Sequence, residues 1–248
     1  MEIKVLGSVS PYPKGSNNCP GYLVTDKNAK ILLDCGNGVS SLLDMQQDLE
    51  GLNIIISHLH KDHYGDLGAI AYASFVYHNL GLLNDKVKVY IPNDKSLEDY
   101  KYLMNFGTEK YIDFYIYDGK SDISINDVNI SFYQTQHPIK TYAIKIIKGK
   151  SKISYSADTG YEENIASFFK DSDILICESS FLKSQKNNNL NHLSAEEAAM
   201  IAKKSNTKKL ILTHFWPEID KNEYLYEAKE VFEKVEAAEE GKKYILQK

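Results

Sequence analysis

Residues 53–70 read "NIIISHLHKDHYGDLGAI", which places His58, His60, Asp62 and His63 within six positions directly after an apolar run. "NIIIS" is compact and rich in isoleucine, as buried strands are, so the four residues fall in a loop at a strand end. The whole chain has seven histidines, and three of them in one loop call for a cause. In extended backbone, residues two apart point the same way. His58 and His60 can therefore reach one ion from one side of the loop. Asp62 and His63 lie past a turn and can face a second. Imidazole with carboxylate suits Zn²⁺ and related divalent metals. Gly65 lets the chain turn into a helix over "GDLGAIAYASFVYHN". The N-terminal end of that helix points towards the loop and favours anions. The helix is apolar over much of its surface and reads as mostly buried.

Two metals need more than four ligands, and three further candidates each follow a strand-like run. His137 follows "ISFYQTQ", Asp158 follows "KISYSA" and His214 follows "KLILT". Convergent loops at strand ends are where sites form. Asp158 has two carboxylate oxygens and can bridge two ions.

Around these motifs the chain opens with extended runs, "IKVLG", "GYLVT" and "KILLDCG", followed by helical spacing in "VSSLLDMQQDL". "KVKVYIP" reads as a strand and "DKSLEDYKYLMNF" as a helix started by Asp94. "DISINDVNISFYQTQ" is a hairpin turning at Asn126-Asp127, and "KGKS" joins the strands "TYAIKIIK" and "KISYS". A capping box from Thr159 to Glu162 predicts a short helix before the strand "DILICE". A second box, Ser194 to Glu197, opens "AEEAAMIAKKS", with Ala195, Ala198, Ala199 and Ala202 on one face. A helix is expected over 222–238, with Leu225, Ala228, Phe232 and Val235 on one stripe. "KYILQ" closes as a strand, and "KSQKNNNLN" (183–191) reads as an exposed loop. Strands and helices do not alternate strictly. The order predicts an α/β fold, a four-layer αββα sandwich of two mixed β-sheets flanked by helices. No break in composition divides 1–248, so one domain is expected.

Hydrophobic content of 43% and charged content of 25% are ordinary for a globular chain. A net charge of -5 gives no general attraction for polyanions. All 29 basic residues are lysines; phosphate would then be held by metal, backbone N–H, hydroxyls or lysine rather than by planar bidentate arginine, unless the absence reflects only coding bias. The clusters "KKSNTKK" and "KGKSK" read as solvated faces. Three cysteines without a C-x-x-C pair suit a reducing compartment, and Cys35 and Cys177 end apolar runs as buried free thiols do. "MEIKVLGS" reads as a strand rather than a signal peptide. No apolar stretch is long enough for a bilayer, so a cytoplasmic protein without a membrane partner is expected.

"HLHKDH" matches the H-x-H-x-D-H signature of the metallo-β-lactamase fold superfamily, and His137, Asp158 and His214 fall in the order of its later ligands. Through "SADTG", "NHLSAEEAA" and "LILTHF" the chain most resembles the ribonuclease Z-like, short-form branch of metal-dependent hydrolases. "TQHPIKTYAIKI" departs from the P-G-H-T run that lactamases and glyoxalase II have at the third histidine. The resemblance implies two ions about 3.5–4 Å apart. His58, His60 and His137 would hold the first and Asp62, His63 and His214 the second, with Asp158 bridging. Zn²⁺ is implied over iron because His60 stands where the di-iron branch has glutamate; Mn²⁺ is the alternative. Asp62 would orient or deprotonate the attacking water. His192 matches a histidine lying just outside the ligands and would donate a proton to the leaving oxygen; Glu178 in "CESSF" would orient and charge it. A homodimer is also implied. His78 has no patterned partners and reads as structural. Tyr64 and Trp216, close behind ligands, either line the pocket mouth or simply pack.

Transfer-RNA processing fits poorly. Twenty residues between His137 and Asp158 leave no room there for the arm of ribonuclease Z, and "PYPKGSNN" only echoes its P-x-K-x-R-N loop. The expected activity is a dinuclear zinc hydrolase acting on a small-molecule phosphodiester such as a cyclic nucleotide. Alternatives are an RNA- or DNA-cleaving phosphodiesterase, a carboxylic, thio- or sulfate ester hydrolase, and a metal-binding module without turnover.

Overall fold

The computed structural model describes residues 1–105, 112–186 and 191–246. Side chains that alternate along the first strands pack in two directions. Tyr22, Val24, Ile31, Leu33 and Ile55 face one core, while Leu23, Leu32 and Ile54 face another. A strand apolar on both faces needs a layer on each. The inner layer is a second sheet, which contributes Ile130, Ile144, Ile146, Ile153 and Ile176 to the shared core.

The first sheet holds β1 (Glu2–Gly7), β2 (Gly21–Asp26), β3 (Ala29–Leu33), β4 (Leu52–Ile55), β5 (Val87–Pro92), β6 (Ile112–Tyr117) and β14 (Lys243–Ile245), in the order β14-β1-β2-β3-β4-β5-β6. The second holds β7 (Ile123–Ile125), β8 (Val128–Gln134), β9 (Tyr142–Lys148), β10 (Ser151–Tyr155), β11 (Ile174–Glu178), β12 (Leu210–Thr213) and β13 (Val235–Ala237), in the order β13-β12-β11-β10-β9-β8-β7. Strands β3 to β6 pair in parallel, as do β10 to β13, and the other pairs are antiparallel. The helices are α1 (Met45–Asp48), α2 (Lys61–Tyr64), α3 (Leu67–Asn79), α4 (Glu98–Asn105), α5 (Ile165–Phe168), α6 (Ala195–Lys204) and α7 (Lys221–Lys229). Helices α3 and α4 cover the first sheet through Leu67, Ile70, Tyr100 and Leu103. Helix α6 covers the second with its four alanines, all fully buried. This is the expected sandwich of two mixed sheets with flanking helices.

The Ser194 box caps α6 as predicted: Ser194 Oγ accepts from Glu197 N, and the Glu197 carboxylate accepts from Ser194 N. Other local expectations give way to tertiary pairing. The Thr159 N–H goes to Glu178 Oε1 and its hydroxyl to Gly160 O, so no helix starts there; α5 begins six residues later, at Ile165. The predicted 222–238 helix ends at Lys229, and Val235 enters the core from β13, paired with Leu210. Helix α4 starts at Glu98 rather than at Asp94, whose carboxylate accepts from Ser96 Oγ. "VSSLLDMQQDL" breaks into a 3-10 turn (Val39–Leu42) and α1, divided by the Asp44 cap. Helix α3 buries one face only; Tyr72 stands 66% exposed. Lys183 to Gln185 are exposed as expected, but residues 187–190 of that loop lie outside the described residues. All three cysteines are free and buried. Among the described residues no helix is long and apolar enough to cross a membrane.

Candidate metal centre

The candidate ligands, and the carboxylates behind them, lie at or just past the carboxyl ends of strands on one edge of the sandwich. Asp34 follows β3, His58 to His63 follow β4, and Asp158, Glu178 and His214 sit after or at the ends of β10, β11 and β12. Strand β8 runs antiparallel to β9 and β9 antiparallel to β10, so the end of β8 brings His137 to the same edge. Open parallel sheets present ligands at this edge. The chain bends sharply there: Asp34, Ala157 and His214 all have positive φ, of 56°, 51° and 63°. Such backbone costs an L-residue on the order of 1–2 kcal/mol, so the surrounding packing must hold it in place. Gly36 allows the β3 loop to lie against α2. A Cβ there would stand 2.1 Å from Asp62 O, and the two segments are joined by Cys35 N to His63 O (2.8 Å) and Asp66 N to Cys35 O (3.1 Å).

The structure brings all seven predicted ligands together, in two groups. In the first, His58 Nε2 lies 3.1 Å from His60 Nδ1, which lies 3.2 Å from His137 Nε2. Asp158 Oδ2 is 3.5 Å from His58 Nε2 and 3.9 Å from His137 Nε2. In the second, His63 Nε2 and His214 Nε2 are 3.3 Å apart. Asp158 Oδ1 lies 3.3 and 3.1 Å from them, and Asp62 Oδ2 3.6 and 3.7 Å. The first group is a compact set of four donors and the second a compact set of three, and Asp158 gives one oxygen to the first and sets the other beside His63 and His214.

These distances test whether metal fits. Four donors at about 2.0–2.1 Å from a tetrahedral Zn²⁺ lie roughly 3.3 Å apart, close to the observed spacings. Asp158 Oδ1, fully buried, has no hydrogen-bond partner, and an orphaned carboxylate oxygen is costly unless a cation meets it. The local field points the same way. Burial opposes charge on His63, yet Asp158, Asp62 and Asp34 together push its pKa well above the usual imidazole value. Burial and the neighbouring His63 hold His58 well below that value. Asp158 is held well below the carboxylate range by His214, His63 and His58, against the cost of burial. The donor set therefore fits two divalent cations.

Two fully buried carboxylates support the ligands from behind. Asp34, which the sequence reading missed, accepts from Ser57 N (2.7 Å), Ser57 Oγ (2.8 Å), Tyr155 OH (2.7 Å) and His63 Nδ1 (2.7 Å). Glu178 accepts from Thr159 N, Ser180 Oγ, Leu193 N and His192 Nδ1, the last at 3.0 Å. His192 thus meets Glu178 as expected. It also stacks on His214 at 5.3 Å between centroids and forms a third donor group with His214 and Asp158. Burial works against a charge on His192, but the Glu178 carboxylate and its hydrogen bond override it and push the pKa up to about 9.

A cleft of about 420 Å³ opens beside the donors, lined by Ser10, Pro11, Lys61, Asp99, His192 and His214 among others. The N-terminal loop therefore walls the site, and Ser10 Oγ donates to Asp62 Oδ2 at 2.7 Å. Tyr64 is buried in the outer core and donates to Asp99. Trp216 is 41% exposed and meets Tyr12 edge-on. His78 bonds Leu83 O through Nδ1, a structural contact.

The chain is 31% identical over 215 residues to the probable metallo-hydrolase YhfI of Bacillus subtilis (strain 168), covering 86% of each protein. It superposes on the crystal structure of that metallo-β-lactamase fold protein with a TM-score of 0.88, at 28% identity over 98% of this chain and 99% of the other. It is 27% identical over 285 residues to ribonuclease Z of Saccharolobus solfataricus (strain ATCC 35092 / DSM 1617 / JCM 11322 / P2), covering 94% of this chain and 95% of that protein. The family model described as Anti-Pycsar protein Apyc1 matches residues 1–239. The donor loops, the paired sheets and this match agree: the chain has the metallo-β-lactamase fold and belongs to the anti-Pycsar protein Apyc1 family.

Proposed function

We propose that the chain is a metal-dependent hydrolase holding two divalent ions, Zn²⁺ before Mn²⁺, and that it cleaves a small phosphodiester such as a cyclic nucleotide. The observation that carries this reading is the four-donor group of His58, His60, His137 and Asp158 beside the three-donor group of Asp62, His63 and His214, with the second Asp158 oxygen against His63 and His214, all next to a cleft of small-molecule size. His58, His60 and His137 would hold one ion and Asp62, His63 and His214 the other. Bound divalent ions supply Lewis acidity at the phosphoryl group and ionise water near neutral pH.

The protein's own groups do the rest. Asp62 lies at the cleft wall, where its carboxylate can orient the attacking water or take its proton. His192 lines the cleft and has its Nδ1 fixed by Glu178, whose carboxylate favours the protonated ring. It can give a proton to the departing oxygen. Lys61 is a cation on the same wall and can attract an anionic substrate. The similarity to a ribonuclease supports phosphodiester chemistry. The small cleft and the net charge of -5 favour a small substrate over RNA.

The test is a hydrolase panel on purified protein of measured metal content, comparing 3′,5′-cyclic nucleotides, a chromogenic phosphodiester, a chromogenic carboxylic ester and a short RNA. Turnover of cyclic nucleotides that chelator abolishes and Zn²⁺ or Mn²⁺ restores is expected. Turnover of the carboxylic ester or the RNA alone would overturn the substrate assignment.

A further inference from the structure

Two serines stand between a buried carboxylate and a ligand histidine, in matching positions of the two halves of the site. Ser57 Oγ is 2.8 Å from Asp34 Oδ2 and 3.0 Å from His58 Nδ1. Ser180 Oγ is 2.8 Å from Glu178 Oε2 and 2.8 Å from His214 Nδ1. All six residues are buried, none more than 9% exposed. A serine hydroxyl carries one hydrogen, and an ionised carboxylate can only accept. Asp34 and Glu178 are each surrounded by donors, so each serine hydrogen goes to its carboxylate. The serine oxygen is then left as an acceptor, and the facing Nδ1 must carry the imidazole hydrogen. That leaves Nε2 of His58 and of His214 as bare lone pairs. These are the atoms that face the donor groups, with Asp158 Oδ2 3.5 Å from one and Oδ1 3.1 Å from the other.

We propose that Ser57 and Ser180 are positioning residues that fix His58 and His214 in the tautomer able to ligate through Nε2, one serine for each ion. The assignment rests on the reading of the seven residues as metal ligands. A histidine ligand is ordinarily fixed by a direct carboxylate or carbonyl contact, as His63 is by Asp34 Oδ2 at 2.7 Å. Here each carboxylate serves a second histidine through a hydroxyl. Asp34 holds His63 directly and His58 through Ser57; Glu178 holds His192 directly and His214 through Ser180. Removing one hydroxyl leaves the Nδ1 facing a void. The imidazole is then free to turn or to place its hydrogen on Nε2, where it blocks a cation.

The test uses the full chain stripped of metal and titrated with Zn²⁺ against a competing chelator, with bound ions counted by elemental analysis. Wild type is expected to bind two ions in two resolvable steps. Ser57→Ala should weaken one step and Ser180→Ala the other, each by about 10- to 100-fold. Ser180→Thr, which keeps the hydroxyl, should restore the affinity. The thermal midpoint of the metal-free protein reads folding separately, so a variant that only misfolds shows there and loses both steps together. Two undisturbed binding steps in both alanine variants, or a Thr variant as weak as Ala, would overturn the serine assignment. A wild type that binds no ion would instead overturn the metal reading itself.

Discussion

The two donor groups are braced to different degrees. In the second, three of the donors are held by neighbouring side chains: His63 by Asp34 at 2.7 Å, His214 by Ser180 at 2.8 Å and Asp62 by Ser10 at 2.7 Å. Asp62, His63 and His214 are all buried. In the first group, His58 is held by Ser57 at 3.0 Å, but His137 reaches Asn191 O only at 3.4 Å, and His60 is half-buried. Binding is strongest where ligands are already fixed before the ion arrives. If both groups take an ion, the second should therefore be the tighter site and the first the more exchangeable one.

The largest effect should come from the residue that both groups share. Asp158→Ala removes a donor from each and should lower phosphodiester turnover by about 10³-fold or more, taking the loss of Lewis acidity as several kcal/mol. Metal analysis should show both ions depleted. His192→Ala should lower kcat on an alkyl phosphodiester by about 10²–10⁴-fold with metal content unchanged. It should scarcely change turnover of a nitrophenyl ester, whose leaving group needs no proton. Equal losses on both substrates would assign His192 to the metal instead, through its third grouping with Asp158 and His214.

Graded chelation breaks or sharpens the comparison directly. Ions per chain should fall from two to one over a window at least about tenfold in free chelator before the second leaves; simultaneous loss would erase the distinction. Gly36→Ala should act on the second group, because its Cβ would meet Asp62 O. A drop of about 1–3 kcal/mol in unfolding free energy is expected, read as a lower thermal midpoint together with weaker binding of the tighter ion. Tyr72→Ser, on the exposed face of α3, should change stability by less than about 0.5 kcal/mol and leave metal binding intact.

The candidate ligands were legible because histidine is scarce and chemically specific, and because each histidine or aspartate motif follows an apolar run. The same signal was present for both supporting carboxylates, "ILLDC" for Asp34 and "ILICE" for Glu178. Only Glu178 was recognised, as a carboxylate able to orient His192. Ser10, Ser57 and Ser180 carry no such signal. Serine is common, and their roles depend on which neighbour takes the single hydroxyl hydrogen. Strand β13 was hidden inside a helical stripe. Val235 satisfies a period of 3.6 from Leu225, Ala228 and Phe232, but pairing with β12 decides its conformation. Strand β6 went unread because "IDFYIY" lies on an edge, with Tyr115 and Ile116 turned outward.

The first sheet supplies His58, His60, Asp62 and His63, and the second supplies His137, Asp158 and His214. Neither sheet can complete a four-donor group by itself. A cation seated in either group is thus a rivet through both layers, and pulling the sandwich apart means stripping its coordination first. Metal supply would then govern how long the folded chain survives mechanical or proteolytic stress, as well as whether it turns over substrate.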